Sequence, residues 1–215
     1  NDDPLWKHTP VTSAELRRAS QIRVFFGHQS VGGNVMKGIT ALYKADGSEA
    51  SPFLDLTGST TGPPDRAGYL AHAFIGRNGD PLGKIADFDA ILRRGVGNRV
   101  EVAVMKLCYA DVTEETDVTT VFDRYRRVMA QLEGDFPKVR FLYATVPLKT
   151  NRPADNVARA RFNTLIRDLY GDTGRLYDIA AIESTAPDGT RVSGVEEGQS
   201  FDSLYTGYST DGGHL

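Results

Sequence analysis

The sequence has one cysteine, Cys108, so no disulfide can form within the chain. No apolar run approaches the ~18 residues that a membrane-spanning helix requires. Charge of neither sign dominates: 25 Lys and Arg against 28 Asp and Glu leave a net charge of −3. The basic residues are scattered, as in Arg93-Arg94 and Arg124, Arg126 and Arg127. That pattern excludes an electrostatic reader of nucleic acid or of anionic membrane. Histidines number four, and no local spacing draws His28, His72 and His214 into a zinc site. Internal repeats, low-complexity tracts and Gly/Ser linkers are all lacking. The 215 residues are therefore read as one domain, 1–215, large enough to bury its own core. The single cysteine fits the cytoplasm and equally a periplasmic or secreted protein without disulfides. The chain begins at Asn1 rather than Met, so a removed signal peptide stands beside a trimmed terminus as an explanation.

What is present alternates short β-branched or aromatic runs with amphipathic stretches, the pattern of an α/β protein with a parallel sheet. A first strand is expected over Ile22–Phe26, stopping at Gly27, followed by a helix with Val31, Val35, Ile39 and Leu42 on one stripe. Phe53–Leu56 reads as a second strand, closed by a polar Gly/Ser/Thr/Pro loop over Thr57–Pro64. Val102–Met105 reads as a central strand buried on both faces. Helical stripes flank it: Ile85, Phe88, Ile91 and Leu92 before, and Phe122, Tyr125, Met129 and Leu132 after. Val139–Val146 and Leu176–Ile179 read as later strands, with an amphipathic helix through Phe162, Leu165, Ile166 and Leu169 between them. Right-handed crossovers then predict a three-layer α/β/α sandwich, doubly wound and flavodoxin-like, with its ligand at the carboxyl ends of the strands.

Chemistry is therefore sought just past each strand. Ser30 follows the first strand and opens a helix, where the positive helix end and free backbone N–H groups suit a developing oxyanion. The plain alternative is a serine N-cap. The last residues, Asp211-Gly212-Gly213-His214-Leu215, place a carboxylate three positions before a histidine. A nucleophilic serine needs such a base, and the base needs a partner to fix its tautomer. Cys108 follows an apolar strand and is read as a buried hydrophobe.

With these residues the chain resembles the SGNH (GDSL) hydrolases. The first block reads Phe26-Gly27-His28-Gln29-Ser30-Val31-Gly32 and the last Asp211-Gly212-Gly213-His214. Arg161-Phe162-Asn163 matches a further short pattern, read as opening a helix after the strand at Val139–Val146. The resemblance implies Ser30 as nucleophile, Asp211 as acid and His214 as base, with no metal and no organic cofactor. It also implies Gly76 as an oxyanion donor through its N–H, beside the N–H of Ser30. Two positions depart from the pattern. Gln29 stands where the family has Asp, and Ala110 of Leu107-Cys108-Tyr109-Ala110-Asp111 stands where it has the oxyanion asparagine. Asn78, in Gly76-Arg77-Asn78-Gly79-Asp80-Pro81, is the candidate replacement, and the Tyr109 phenol a second one. The bland reading of that segment is a turn and a helix start. His28, Gln29 and Tyr109 are candidate substrate contacts. The family also has a closing helix after the catalytic histidine, whereas this sequence ends one residue past His214. The chain is accordingly expected to be a piece of a longer one or to have an unusual terminus.

The expected activity is hydrolysis of carboxylic esters through an acyl-enzyme on Ser30. A polar loop over Thr57–Arg66 and the lack of an apolar lid favour a small acyl group on a polar carrier, such as an acetylated carbohydrate. The rival keeps the fold and drops the activity, as a glycan- or ligand-binding module. A nucleotide or flavin site is disfavoured, because the loop over Gly27–Gly33 carries neither G-x-G-x-x-G nor a Walker lysine.

Overall fold

The computed structural model describes residues 11–215. Helix α1 (Ser13–Ala19) starts at a capping box in which Thr12 and Glu15 satisfy each other's backbone N–H groups. Strand β1 (Arg23–His28) leads into α2 (Val31–Asp46), then β2 (Phe53–Asp55) and β3 (Tyr69–Phe74). Next come α3 (Pro81–Arg93), β4 (Val102–Met105), α4 (Val118–Asp135) and β5 (Arg140–Ala144). The chain finishes with α5 (Pro153–Tyr170), β6 (Leu176–Tyr177), α6 (Ile179–Glu183) and the strands β7 (Ser193–Glu196) and β8 (Gln199–Asp202).

Strands β1 to β6 form one sheet in the order β2-β3-β1-β4-β5-β6, and every pair is parallel. Parallel neighbours require helical crossovers, and right-handed ones put helices on opposite faces when the chain changes direction. The chain steps from β1 toward β2 through α2, then from β3 back across to β4 through α3. Accordingly α3, α4 and α5 bury Ile85, Phe88, Met129, Leu132, Phe162 and Ile166 on one face. On the other, Val35 and Met36 of α2 and Ile179 of α6 pack against Phe26, Val104 and Ala144. The expected three-layer α/β/α sandwich is therefore present. Strand β1, between β3 and β4, is where the strand order reverses, so its carboxyl end opens onto the topological crevice.

Four details differ from the sequence reading. Strand β1 runs on through Gly27 and His28, pairing with Ala73 and Phe74. Strand β3 went unread because its core face is Tyr69, Ala71 and Ala73, and two alanines carry little hydrophobic signal. The β7–β8 hairpin is polar and turns at Glu197 (φ 49°) and Gly198 (φ 78°). In the stripes, Leu42 and Leu169 face solvent, while Tyr43 and Tyr170 one position later are buried. Tyr43 donates its hydroxyl to the Leu16 carbonyl, and Tyr170 stacks on Tyr143 with ring centroids 3.5 Å apart. Among the described residues no helix is long and apolar enough to cross a membrane.

Candidate active site

Ser30 occupies the N-cap position of α2, yet its side chain makes no capping hydrogen bond. Its Oγ lies 3.3 Å from the Sγ of Cys108, just past β4. Its N–H has no hydrogen-bond partner among the described residues. A hydroxyl not spent on capping and a free N–H at a helix N-terminus are what an attacking serine and its oxyanion need. Cys108 is fully buried and reduced, as expected of a small apolar filler, but its contact with Ser30 was not foreseen.

The two residues before Ser30 do structural work. His28 is buried, because β1 extends far enough to tuck it beneath α2. Its ring stacks on Phe26, meets Phe74 edge-on, and its Nε2 sits 3.3 Å from Nδ1 of His72. Burial, chiefly, pushes its pKa down to about 4, so the imidazole is neutral. Gln29 donates its amide to the carbonyls of Ile75 (3.1 Å) and Gly76 (2.9 Å), clamping the end of β1 to the end of β3. His28, expected as a substrate contact, is thus in the core, while Gln29 is half-buried with its amide committed to the β3 end.

The C-terminal turn carries its own wiring. Asp211 Oδ2 accepts from Nδ1 of His214 at 2.6 Å, and Oδ1 accepts the backbone N–H of His214 (2.7 Å) and of Gly213 (2.9 Å). These bonds, that from the His214 N–H foremost, hold the Asp211 carboxyl well below the usual carboxylate range. The turn is moored by the Gly212 carbonyl, which accepts from Thr150 N–H beyond β5, and by the Leu215 carbonyl, which accepts from Asn34 on α2. Nε2 of His214 faces the Tyr109 hydroxyl at 3.4 Å, and Gly213 packs on the Tyr109 ring. Ser30 and His214 thus converge on the adjacent residues Cys108 and Tyr109, with no direct hydrogen bond between them.

Tyr109 itself is firmly placed. Its carbonyl accepts from Nε (3.1 Å) and Nη2 (2.8 Å) of the buried Arg159 on α5, and Lys149 Nζ lies 4.8 Å above its ring. Partial burial raises its phenol above the usual range, so it is a proton donor at neutral pH. Asn163, inside α5 rather than at its start, brackets the Val146 peptide with two hydrogen bonds, and Arg161 faces solvent.

On the oxyanion side the expectation needs correction. The Gly76 N–H, expected to face the crevice, donates instead to Asp87 Oδ2 at 2.9 Å, a partner eleven residues away that no local spacing announces. Gly76 has φ 47° and an added Cβ would meet the Lys84 backbone at 2.9 Å, so its glycine identity answers to packing. Asn78 is exposed and presents Oδ1 to Nζ of Lys84 at 2.8 Å. Lys84 is fully buried and ion-paired to Asp111 at 2.5 Å. Asp111 in turn accepts the N–H groups of Gly79 (2.9 Å) and Cys108 (2.5 Å). Sequence reasoning passed over Lys84, although a charge at i and core residues at i+4 and i+7, Phe88 and Ile91, was a readable signal.

Two further charges are buried nearby and were also unforeseen. Lys106, directly after β4, reaches only the Leu107 carbonyl, at 3.3 Å, among the described residues, and burial lowers its pKa. Glu183 accepts from Leu148 N–H through Oε2 while Oε1 has no partner among the described residues, and burial raises its pKa to about 7. Among the described residues no group of three or more His, Cys, Asp or Glu is arranged to hold a metal ion. A shallow cavity of ≈ 510 Å³, lined in part by Glu133, Lys138, Arg140 and Arg175, lies at the amino end of β5, away from Ser30.

Comparison with solved structures agrees with this architecture. A Bacteroides fragilis protein described as an acylhydrolase superposes with a TM-score of 0.54 at 13% identity, covering 95% of this chain and 89% of its own. The two share the three-layer α/β/α fold. A Streptococcus pneumoniae protein described as a platelet activating factor has a TM-score of 0.52, again at 13% identity, over 89% of this chain and 75% of its own. No protein-family model matches the sequence, and no curated protein does. Within this fold the carboxyl end of β1 is followed by Ser30, and Leu215 at the end of the Asp211–His214 turn bonds Asn34 on α2.

Proposed function

We propose that the chain is a serine ester hydrolase in which Ser30 attacks the carbonyl, His214 is the base and Asp211 its partner. The observation that carries this reading is the convergence just described. A serine free of capping duty and a histidine wired to a carboxylate both lie against Cys108-Tyr109, at the sheet's switch point. The general class, acyl hydrolysis, is supported by the Bacteroides fragilis protein of the same fold.

In the proposed reaction Nε2 of His214 takes the Ser30 proton as Oγ bonds to the acyl carbon. Asp211 holds the Nδ1 proton and stabilises the imidazolium. The Ser30 N–H and the Asn78 amide donate to the tetrahedral oxyanion. His214 then protonates the departing alcohol, and water, deprotonated by the same nitrogen, releases the acid. For this to happen Nε2 must turn from Tyr109 to Ser30, the kind of tightening that accompanies substrate binding. Tyr109, facing His214, and Lys149, over the Tyr109 ring, favour a small acyl group such as acetyl on a polar or carbohydrate carrier.

The alternative, a ligand-binding module without turnover, draws on the missing Ser30–His214 bond and on the occupied Gly76 N–H. Intact-protein mass after treatment with a small fluorophosphonate separates the two. The hydrolase reading expects one adduct on the wild type and none on Ser30→Ala. An unlabelled, folded wild type gives the binding module the lead. A series of p-nitrophenyl esters then tests the substrate class, which fails if long acyl chains are cleaved faster than acetate.

A further inference from the structure

Lys84 lies on the core face of α3 and its ammonium has no exposure at all. A lysine so placed needs acceptors, since an isolated buried charge is very costly. Asp111 supplies one at 2.5 Å. The second is Asn78 Oδ1 at 2.8 Å, which meets a further N–H of the ammonium and belongs to an exposed residue whose oxygen water would otherwise serve. Stability does not account for the arrangement, because a buried ion pair gains little over apolar groups of the same volume.

The contact does fix one thing. An ammonium has only donors, so the Asn78 atom facing it is the oxygen, and the NH2 group is turned outward. An ion bonded to the carbonyl also withdraws charge from the amide and strengthens its N–H groups as donors. The same Asp111 carboxylate accepts from Gly79 N–H, beside Asn78, and from Cys108 N–H, whose side chain touches Ser30. Asn78 is therefore referenced to the nucleophile through two buried charges, with Ala110 O 4.0 Å from where a Cβ of Gly79 would stand. Where Ala110 offers no side-chain donor, the neighbouring loop brings one.

We propose that Lys84 is a positioning residue for catalysis, holding the Asn78 carboxamide with its NH2 group aimed at the oxyanion on the acyl group bound to Ser30. This rests on the serine-hydrolase reading above.

The test is a mutant cycle on p-nitrophenyl acetate hydrolysis, with kcat and KM measured separately. The proteins are wild type, Asn78→Ala, Asn78→Asp, Lys84→Met/Asp111→Asn, and the last combined with Asn78→Ala. Asn78→Ala is expected to lower kcat ~10²-fold with little change in KM, as for loss of an oxyanion donor. Asn78→Asp keeps an oxygen for Lys84 but has no N–H, and is expected to lose as much. The Lys84→Met/Asp111→Asn pair is expected to lose kcat about tenfold or more, and adding Asn78→Ala to cost no more than Asn78→Ala alone. Losses that multiply, or a Lys84→Met/Asp111→Asn protein with wild-type kcat, overturn the proposal. Should that variant unfold, Asn78→Asp decides, since wild-type kcat there removes any need for an aimed amide. Fluorophosphonate labelling of Ser30 in the wild type keeps the two questions apart. Labelling with an unchanged cycle rejects only the Lys84 role, whereas no labelling rejects the hydrolase reading and this role with it.

Discussion

Gly32 faces the ring of His28 so closely that a Cβ added to it would stand 2.4 Å from Cβ, Cγ and Nδ1 of the imidazole. The first turn of α2 can lie over the end of β1 only because that position has no side chain. Since His28 is itself packed between Phe26 and Phe74, its ring has nowhere to go. Gly32→Ala is expected to cost roughly 1–3 kcal/mol through overpacking. It should also displace Ser30, two residues before it. Thermal melts and fluorophosphonate labelling rates check both effects. A variant with wild-type melting and labelling would show that the helix does not rest on this contact.

Asp211→Asn keeps the shape of the turn but offers an amide where Nδ1 of His214 needs an acceptor. In the hydrolase reading kcat should fall roughly 10³–10⁴-fold, as when the partner carboxylate of a serine triad is neutralised. KM should change little. Steady-state kinetics on p-nitrophenyl acetate is the check, and a loss below tenfold would remove Asp211 from the mechanism.

The buried His28 makes the fold sensitive to acid. Its pKa is about 4 in the folded chain against 6.5 when exposed, so the folded state binds fewer protons between those values. The stability it contributes is present above about pH 6.5 and is lost as pH falls toward 4. His72, also held below its usual value by burial, acts in the same direction. Melting temperature should drop between pH 7 and pH 5, and His28→Phe should flatten that drop. An equally steep decline in His28→Phe would assign the acid sensitivity elsewhere.

Glu183 works in the opposite direction. With a folded pKa of about 7 against 4.5, the folded state holds the extra proton. Its contribution is therefore present below pH 4.5 and lost as pH rises through 7. Glu183→Gln retains an oxygen for the Leu148 N–H and cannot ionise, so it should be more stable than the wild type at pH 8 and closer to it at pH 5. Melting curves at the two pH values test this, and a Gln variant less stable at both would refute it.

Elements with strong apolar runs were legible in the sequence: β1, β4, β5, and the core faces of α3 and α4. Also legible was the pairing of Asp211 with His214, because the bonds that make it span three residues. What escaped depends on distance or on extent. His28 was read as a loop residue, yet two more residues of β1 carry it beneath α2. The Gly76 N–H was read as free, yet α3 brings Asp87 to it. Strand β3 presents Ala71 and Ala73 where a reader looks for Val or Ile. Lys84 broke the pattern of a core stripe, and only the fold supplies the Asp111 that makes its burial tolerable.

The Asp211–His214 turn has a consequence for how such a centre would be switched on and off. The bonds that fix Nδ1 of the imidazole come from Asp211, itself held by the N–H groups of Gly213 and His214 and by Ser209, whereas the Gly212 and Leu215 carbonyls tie the turn to Thr150 and to α2. Orientation and delivery are thereby uncoupled. The turn behaves as a cartridge whose internal setting survives when its seating changes. Loosening either mooring alters how often the base reaches Ser30, while leaving the proton on the nitrogen that Asp211 has chosen for it.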